Sequence, residues 1–499
     1  MISRIDMHDR PRAANRPGSR FLTYMALSCV GQVVMTLAQA QQAPLRHESA
    51  SPGPRVHPPP FQILRYDEDY SYLRDPAART GDLLALEPIK YLPLDAAGHD
   101  WLSLGGEIRL KYEYFDNPLF GLAPSDGNGS LLQRYLLHGD LHLGRSFRVF
   151  AQLRGAYGTS REGPPIPVDE DGFDVQQAFF DLRGERGDRR DQLILRVGRQ
   201  EMTYGVERLI SVREATNVRR AFDAVRLLSE LGAWHVDGFL SRPVVNQPHE
   251  LDEWAAPGTD FWGIYATGPT GLPGTDVDLY YLGLDRDDAV FEQGTAHELR
   301  HTIGARLFGE IGPLDFDVEA MYQWGAFGAG DIRAWAIGLD GGYTFRTTQL
   351  QPRLALRISA ISGDRDPQDD DLETFNPLFP RGNYFGESAI VGPINLYAVH
   401  PLLTLQVSQA ATLETGWAFF WRYSTDDGFY GNALNLIQAS AGNDRRDIGS
   451  ELSIVLDWKL DRYLGLRTGY SHFFAGPFLE ETGPGKDVDF FAAYLTYQF

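Results

Sequence analysis

The chain ends on Asp487–Phe499, DVDFFAAYLTYQF, and the reading of this stretch decides the fold. Counted back from the end, Phe499, Tyr497, Leu495, Ala493 and Phe491 are apolar or aromatic. The residues between them, Gln498, Thr496, Tyr494, Ala492 and Phe490, are more mixed and turn polar towards the end. An alternation of period two places one face of a β-strand in an apolar medium and the other in a wetter one. A run of roughly ten residues or more has the length of a tilted strand crossing a bilayer, and exceeds the usual globular strand. The alternative is an edge strand of a soluble sandwich, and the rest of the chain discriminates between the two.

Between Trp101 and Phe499 eighteen segments have strand character, among them 101–115, 146–157, 192–204, 331–346, 350–362, 411–424 and 461–474. The connections between them alternate in length. Residues 116–130, 205–220 and 425–446 are long, whereas Gly144-Arg145, Leu231 and Leu460 are short. Outer-membrane barrels join their strands in this way, with short periplasmic turns and longer extracellular loops. The faces separate as well. Phe147, Val149, Ala151 and Leu153 oppose Arg148, Gln152 and Arg154, and Leu354, Leu356 and Ile358 oppose Arg353 and Arg357. Trp417, Phe419 and Trp421 oppose Glu414 and Arg422, and Leu464, Leu466 and Tyr470 oppose Arg467. A lone arginine facing lipid near the midplane costs roughly 2–4 kcal/mol, so these arginines are expected to face the lumen. The fold class is therefore all-β: a transmembrane antiparallel β-barrel of eighteen strands, of the bacterial outer-membrane type. Eighteen strands enclose a bore too wide for wall side chains alone to fill, so a polar, aqueous lumen is expected. The terminal Phe499 resembles the last aromatic of such barrels, which implies the barrel-assembly machinery as a partner.

The N-terminal hundred residues divide by composition. Residues 1–20 carry Arg4, Arg10, Arg12, Arg16 and Arg20, and Phe21–Leu37 is mostly apolar. Ala38-Gln39-Ala40 then offers the small residues that a signal peptidase accepts, so 1–40 reads as a cleaved signal peptide. The only cysteine, Cys29, lies within it, and the mature chain would have no thiol chemistry. Residues 41–64 form a Pro-rich flexible lead-in, 65–100 an N-terminal periplasmic, plug-like segment, and 101–499 the barrel. No other window offers about 18 uninterrupted apolar residues, so no spanning helix is expected. The formal net charge of −21 argues against nucleic-acid binding.

The chemistry concentrates in Gly198–Leu227, GRQEMTYGVERLISVREATNVRRAFDAVRL. Arg199, Arg208, Arg213, Arg219, Arg220 and Arg226 are interleaved there with Glu201, Glu207, Glu214 and Asp223. The segment contains the third extracellular connection, which in barrels of this size often folds inward and narrows the pore. Arginine stays charged, and its planar fork binds carboxylates bidentately. A row of them suits a polyanion with one carboxylate per sugar. The same arginines would equally serve as ion-pair struts across a barrel wall.

Two further patterns point elsewhere. His297-Glu298-Leu299-Arg300-His301 matches the HExxH zinc pattern, which requires a helix, yet it opens the predicted strand 296–309. The acidic runs Asp169–Asp174 and Asp369-Asp370-Asp371 are candidate calcium ligands or solvated loop tips. No cofactor is otherwise expected.

The run Gly198–Leu227, together with RYDEDYSYLRDP (Arg65–Pro76), EPIKYLPL (Glu87–Leu94) and WLSLGGEIRLKYEYF (Trp101–Phe115), resembles the alginate export family. The resemblance implies an eighteen-stranded outer-membrane barrel that conducts an anionic polyuronate through an arginine-lined pore. It implies that Arg199, Arg213, Arg219, Arg220 and Asp223, with Arg226 at the end of the same run, lie in or near the constriction. Strand parity adds the wall arginines Arg109, Arg154, Arg353, Arg357 and Arg467. The expected partners are an anionic polysaccharide, outer-membrane lipid and lipopolysaccharide, and periplasmic secretion components. The competing readings are a porin for small anionic solutes such as sugar acids and, more remotely, an outer-membrane barrel enzyme.

Overall fold

The computed structural model describes residues 60–79, 86–125, 127–159, 166–185 and 192–499. The proposed signal peptide and most of the lead-in lie outside the described residues. Eighteen strands form the wall. The first six are β1 (Trp101–Asp116), β2 (Ser130–Leu143), β3 (Phe147–Thr159), β4 (Asp171–Glu185), β5 (Gln192–Gln200) and β6 (Phe222–Leu231). The next six are β7 (Trp234–Val245), β8 (Thr259–Pro269), β9 (Thr275–Phe291), β10 (Gly294–Ile311), β11 (Leu314–Phe327) and β12 (Gly330–Thr344). The last six are β13 (Arg353–Ile361), β14 (Leu396–Ser408), β15 (Ala411–Arg422), β16 (Asp447–Lys459), β17 (Leu464–Ala475) and β18 (Val488–Gln498). Each pairs antiparallel with its sequence neighbours, and β18 returns to β1 with Ile108 opposite Tyr497 and Tyr114 opposite Phe491. This pairing closes the sheet and removes its edges. The pieces Leu92–Pro93 and Trp254–Ala255 attach to the same sheet.

All eighteen expected strands are present, with small shifts at their ends. The strand expected over 192–204 stops at Gln200, because the chain turns inward there, and the strand expected from 461 begins at Leu464. The alternation of connections holds except at 292–293 and 328–329. There the pairs β9–β10 and β11–β12 project as two long hairpins with tight turns. The outward face is apolar all round: Leu240, Ile264, Leu279, Ile303, Ile337 and Leu354 are among its exposed residues. The described residues include no helix long and apolar enough to cross a membrane.

The expectation of a polar, aqueous lumen is corrected in part, because an apolar core also lies inside the barrel. The segment 362–395, between β13 and β14, enters the barrel and buries Phe375, Leu378, Phe385, Ile390 and Val391 against Phe239, Phe261 and Phe420 of the wall. Phe429 from the next long connection joins the same core, as do Phe478 and Leu479 of the short helix α1 (Pro477–Thr482). Burying apolar area gains roughly 25 cal/mol per Å², so loops this rich in Phe, Leu and Ile fold inward against the inner wall. On β6 to β9 the wall answers with Phe222, Phe239, Phe261, Tyr265, Tyr280, Leu282 and Leu284, all buried on the inner face.

Candidate functional site

The inward turn after β5 builds the first site. Loop 201–221 buries Met202, Ile210, Val212 and Val218, and closes on itself through Arg220 N donating to the Val212 carbonyl at 2.9 Å. It also pairs with the second inward loop: Ser211 N donates to Phe379 O at 2.9 Å and Phe379 N to Leu209 O at 2.8 Å. Two loops thus meet across the lumen, and the charged face of loop 201–221 is turned towards β1 to β5.

That face holds three groups of predicted residues. In the first, Arg109 donates to the carbonyls of Glu214, at 2.6 Å, and Thr216, while Arg219 pairs with Glu201 at 2.9 Å and Glu214 at 3.2 Å. At its centre is Arg134, buried and clamped by Glu107 at 2.6 Å and by Glu214. Sequence reading missed Arg134 because β2 carries leucines on both faces, which hides its parity. Its one signal was register, since it stands opposite Arg109. In the second group Arg154 pairs with Asp171 and Glu253, and Arg199 with Asp223 and Glu253, both at 2.9 Å. The third is Arg226 with Asp237, which also reaches the Tyr66 hydroxyl at 3.4 Å.

The other predicted residues lie apart. Among the described residues Arg220 donates only to carbonyls, Ser211 at 3.3 Å and Pro380 at 3.4 Å, and it sits 5.2 Å from the Phe379 ring centre. Arg213, at φ 55°, has no hydrogen-bond or ion-pair partner for its guanidinium among the described residues. Arg353 and Arg357 share Asp340 at 3.3 and 3.0 Å, and Arg467 bridges Asp457 at 2.6 Å and Glu387 at 2.5 Å. The site is therefore a set of arginine–carboxylate clusters rather than one row of bare guanidiniums.

Electrostatics follow from the pairing. Burial penalises the charged form of Glu214, but Arg134, Arg219 and Arg109 outweigh it and hold the carboxyl down to about 2. Burial pushes Glu201 up to about 6, against the pull of Arg219. Burial lowers Arg213 to about 10, and burial together with the Arg213 charge pulls Arg220 well below its ordinary value.

Acidic runs read as solvated loop tips behave differently. Asp171 and Asp174 are buried on the inner face of β4, and with Glu253 they form a carboxylate triad whose ligand atoms lie within 4.8 Å of one another. Arg154 and Arg199 already occupy that triad's charge. In the other run Asp369 and Asp370 are exposed, and nearby Asp364 is buried. The HExxH residues lie on β10, as the predicted strand implies: His297 contacts Asp285 at 2.7 Å and His301 the Tyr281 hydroxyl at 2.8 Å.

A second space, of about 1060 Å³, opens at the end where β1 begins. Its wall includes Arg148, which strand parity turned towards the lumen, and Arg183 and Arg196, which the sequence reading did not name, and Tyr66 and Asp67 of the N-terminal segment line it too.

A closed eighteen-stranded barrel with an apolar outer belt and inward-folded loops is an outer-membrane channel of the porin type. The family model for alginate export matches residues 100–492, and the chain belongs to that family. Similar solved structures include Pseudomonas aeruginosa OpdK with vanillate, at a TM-score of 0.52 and 10% identity, covering 80% of this chain and 98% of that one. OccD3 (OpdP) of the same organism gives 0.53 and 13%, over 80% and 91% of the two chains. Acinetobacter baumannii OccAB4 gives 0.53 and 12%, over 80% and 98%. At these identities the likeness is one of fold. No curated protein matches.

Proposed function

We propose that this protein is an outer-membrane channel for passive export of an anionic polysaccharide, alginate or a related polyuronate. The observation that carries the reading is the gathering of Arg109, Arg134 and Arg219 on one face of an inward-folded loop, in a chain of the alginate export family. Guanidiniums fixed by neighbouring acids present a positive but moderated surface, on which a polymer can bind and still move on. Low-dielectric walls focus their field into the bore although the whole chain is acidic, and a permeating ion senses charges within roughly 8 Å at physiological salt. In this reading a signal peptide ending at Ala40 delivers the chain, the barrel-assembly machinery inserts it, and the short turns face the periplasm. Lipid and lipopolysaccharide then surround it, and periplasmic secretion components supply the polymer.

A second reading, a porin for small acids, is favoured by the inward apolar core, which leaves less room for a polymer. Planar-bilayer recordings test both. Anion selectivity with salt-dependent block by uronate oligomers is the expected result. A cation-selective channel overturns both readings, and block by monomeric sugar acids alone favours the second.

A further inference from the structure

The N-terminal segment reaches from the closing seam to the inner wall. Arg65 donates to the Gly106 carbonyl at 3.0 Å and to Phe499 O at 2.9 Å, and the next residue, Tyr66, is buried against β3 and β4. Its ring meets Phe150 edge-on at 6.0 Å and Phe179 at 5.3 Å. The Arg196 guanidinium lies 4.2 Å from the ring centres of both Tyr66 and Phe179. Phe150 and Phe179 share their strands' inner face with Arg148, Arg154 and Asp181, yet they are only 0% and 4% exposed, and Leu64 and Tyr66 pack on them. Two phenylalanines on a charged inner wall gain nothing unless something apolar covers them. The cover is this strap of chain.

The strap also grips the inward loop. The Tyr66 hydroxyl donates to the Glu201 carbonyl at 2.8 Å. Arg219, the arginine clamped by Glu201 and Glu214, donates through Nη2 to the Ile63 carbonyl at 2.7 Å. From the wall, Arg148 Nη2 donates to the Tyr66 carbonyl at 2.5 Å. Each of these bonds uses a side chain. Among the described residues no main-chain hydrogen bond joins 61–79 to the wall or to loop 201–221. The strap keeps main-chain bonds of its own, Asp67 N to Leu64 O at 2.9 Å and Leu73 N to Tyr70 O at 3.0 Å, so it can leave without breaking the sheet. Downstream it has a fixed end: Leu92–Pro93 pairs with β1 at Trp101 and Leu102, and Tyr91 stacks on Trp101 at 5.2 Å.

We propose that residues 61–70 are a releasable strap that closes the β1 end of the channel and, while seated, holds the inward loop in place, with Tyr66 as its pin. The proposal deepens the channel reading and rests on it for what passes once the strap leaves. Seated, Leu64, Tyr66 and Glu68 line the cavity of about 1060 Å³ together with Thr203 and Tyr204 of the inward loop. Released, the strap uncovers Phe150 and Phe179, and this lost burial is what keeps the seated state dominant. Release also takes two hydrogen bonds from the inward loop, at Glu201 and Arg219, so the β1 end opens and the loop loosens in one event.

The test is single-channel recording of the purified full chain, with graded polyethylene glycols as neutral probes of the bore. Tyr66→Ala removes ring and hydroxyl, and should raise the unitary conductance at least about twofold and admit larger glycols than the parent does. Tyr66→Phe keeps the packing and loses only the hydroxyl's hydrogen bonds. It should raise the fraction of time spent at that larger level about fivefold, the change expected from one lost hydrogen bond. Heat-modifiable gel migration verifies that each variant is folded, and Tyr66→Phe carries the test if Tyr66→Ala does not assemble. A folded Tyr66→Ala with the parent's conductance and size limit, or a Tyr66→Phe with the parent's open fraction, overturns the proposal. Ion selectivity is a separate measurement. A cation-selective channel with these Tyr66 effects refutes the transport reading alone, and an anion-selective channel without them refutes the strap alone.

Discussion

The guanidinium of Arg65 donates to the C-terminal oxygen of Phe499 at 2.9 Å and to the Gly106 carbonyl at 3.0 Å. Gly106 and Phe499 already exchange both main-chain hydrogen bonds, at 2.9 and 3.0 Å, across the seam between β1 and the chain end. A Cβ at Gly106 would fall 2.7 Å from the Phe499 ring and 2.5 Å from the Leu136 carbonyl, so only glycine admits the terminal aromatic there. The N-terminal segment, the closing seam and the last residue are one unit.

This unit predicts how the barrel fails. Arg65 and Glu68 form a buried pair at 2.6 Å, and removing one partner of such a pair costs about 3–5 kcal/mol. Arg65→Ala should lower the temperature at which the folded band disappears in heat-modifiability gels, while the strands still assemble. Deleting Phe499 should be more severe, leaving secreted, protease-sensitive, unassembled chain. Normal barrels after the deletion would remove the last residue from the assembly signal.

Arg134 should be the most sensitive arginine of its cluster. It is buried between Glu107 and Glu214, and Arg134→Ala leaves two acids facing each other without a counter-charge. A loss of about 3–5 kcal/mol is expected, read as a lowered unfolding midpoint in detergent. Arg134→Gln/Glu107→Gln should recover much of it, because the buried acid is then neutral.

Two glutamates of the inward loop titrate in opposite senses. Glu214 is held down to about 2, below its ordinary value near 4.5, so its stabilising contribution is full above pH 4.5 and is lost as the pH falls towards 2. Its side chain keeps 38% exposure, so water screens the pairing and the loss should be shallow. Glu201 is pushed up to about 6, so the folded state takes up a proton between pH 6 and 4.5 before the unfolded chain does. Stability should therefore rise as the pH drops from 7 to 5. Channel current should change with a midpoint near 6, and Glu201→Gln should flatten that change. A pH-independent current in the parent protein would place Glu201 outside the conduction path.

Arg219 and Arg220 are adjacent in sequence and unlike in role. Arg219 is clamped by Glu201 and Glu214, whereas Arg220 meets carbonyls and the Phe379 ring. Arg219→Gln should shift ion selectivity towards cations, because Glu201 and Glu214 lose a counter-charge. Arg220→Gln should act mainly on the contact between the two inward loops, read as increased proteolysis of loop 201–221. Replacing both with Glu should abolish anion preference. Reversal potentials that ignore all three variants would take these arginines out of the selectivity filter.

What the sequence determined by itself was everything that depends on period two and on the cost of placing charge in lipid. Alternation in Phe491–Phe499 and in Leu354–Ile358 against Arg353 and Arg357 fixed strand, face and closure, because an arginine on the lipid side is too costly to tolerate. The inward loop could be placed as well, since Gly198–Leu227 is dense in charge and follows a strand end. Tertiary structure alone decided which charges are spent on one another. Arg154 and Arg199 find Glu253, from a connection more than fifty residues away in sequence, and Arg134 finds Glu214 across eighty. Loop 362–395 enters the lumen by burying residues whose apolar character carries no periodic signal. Strand parity says which way a side chain points. Which partner it meets inside a barrel is set by how the loops fold back, and that depends on contacts between segments that local sequence cannot bring together.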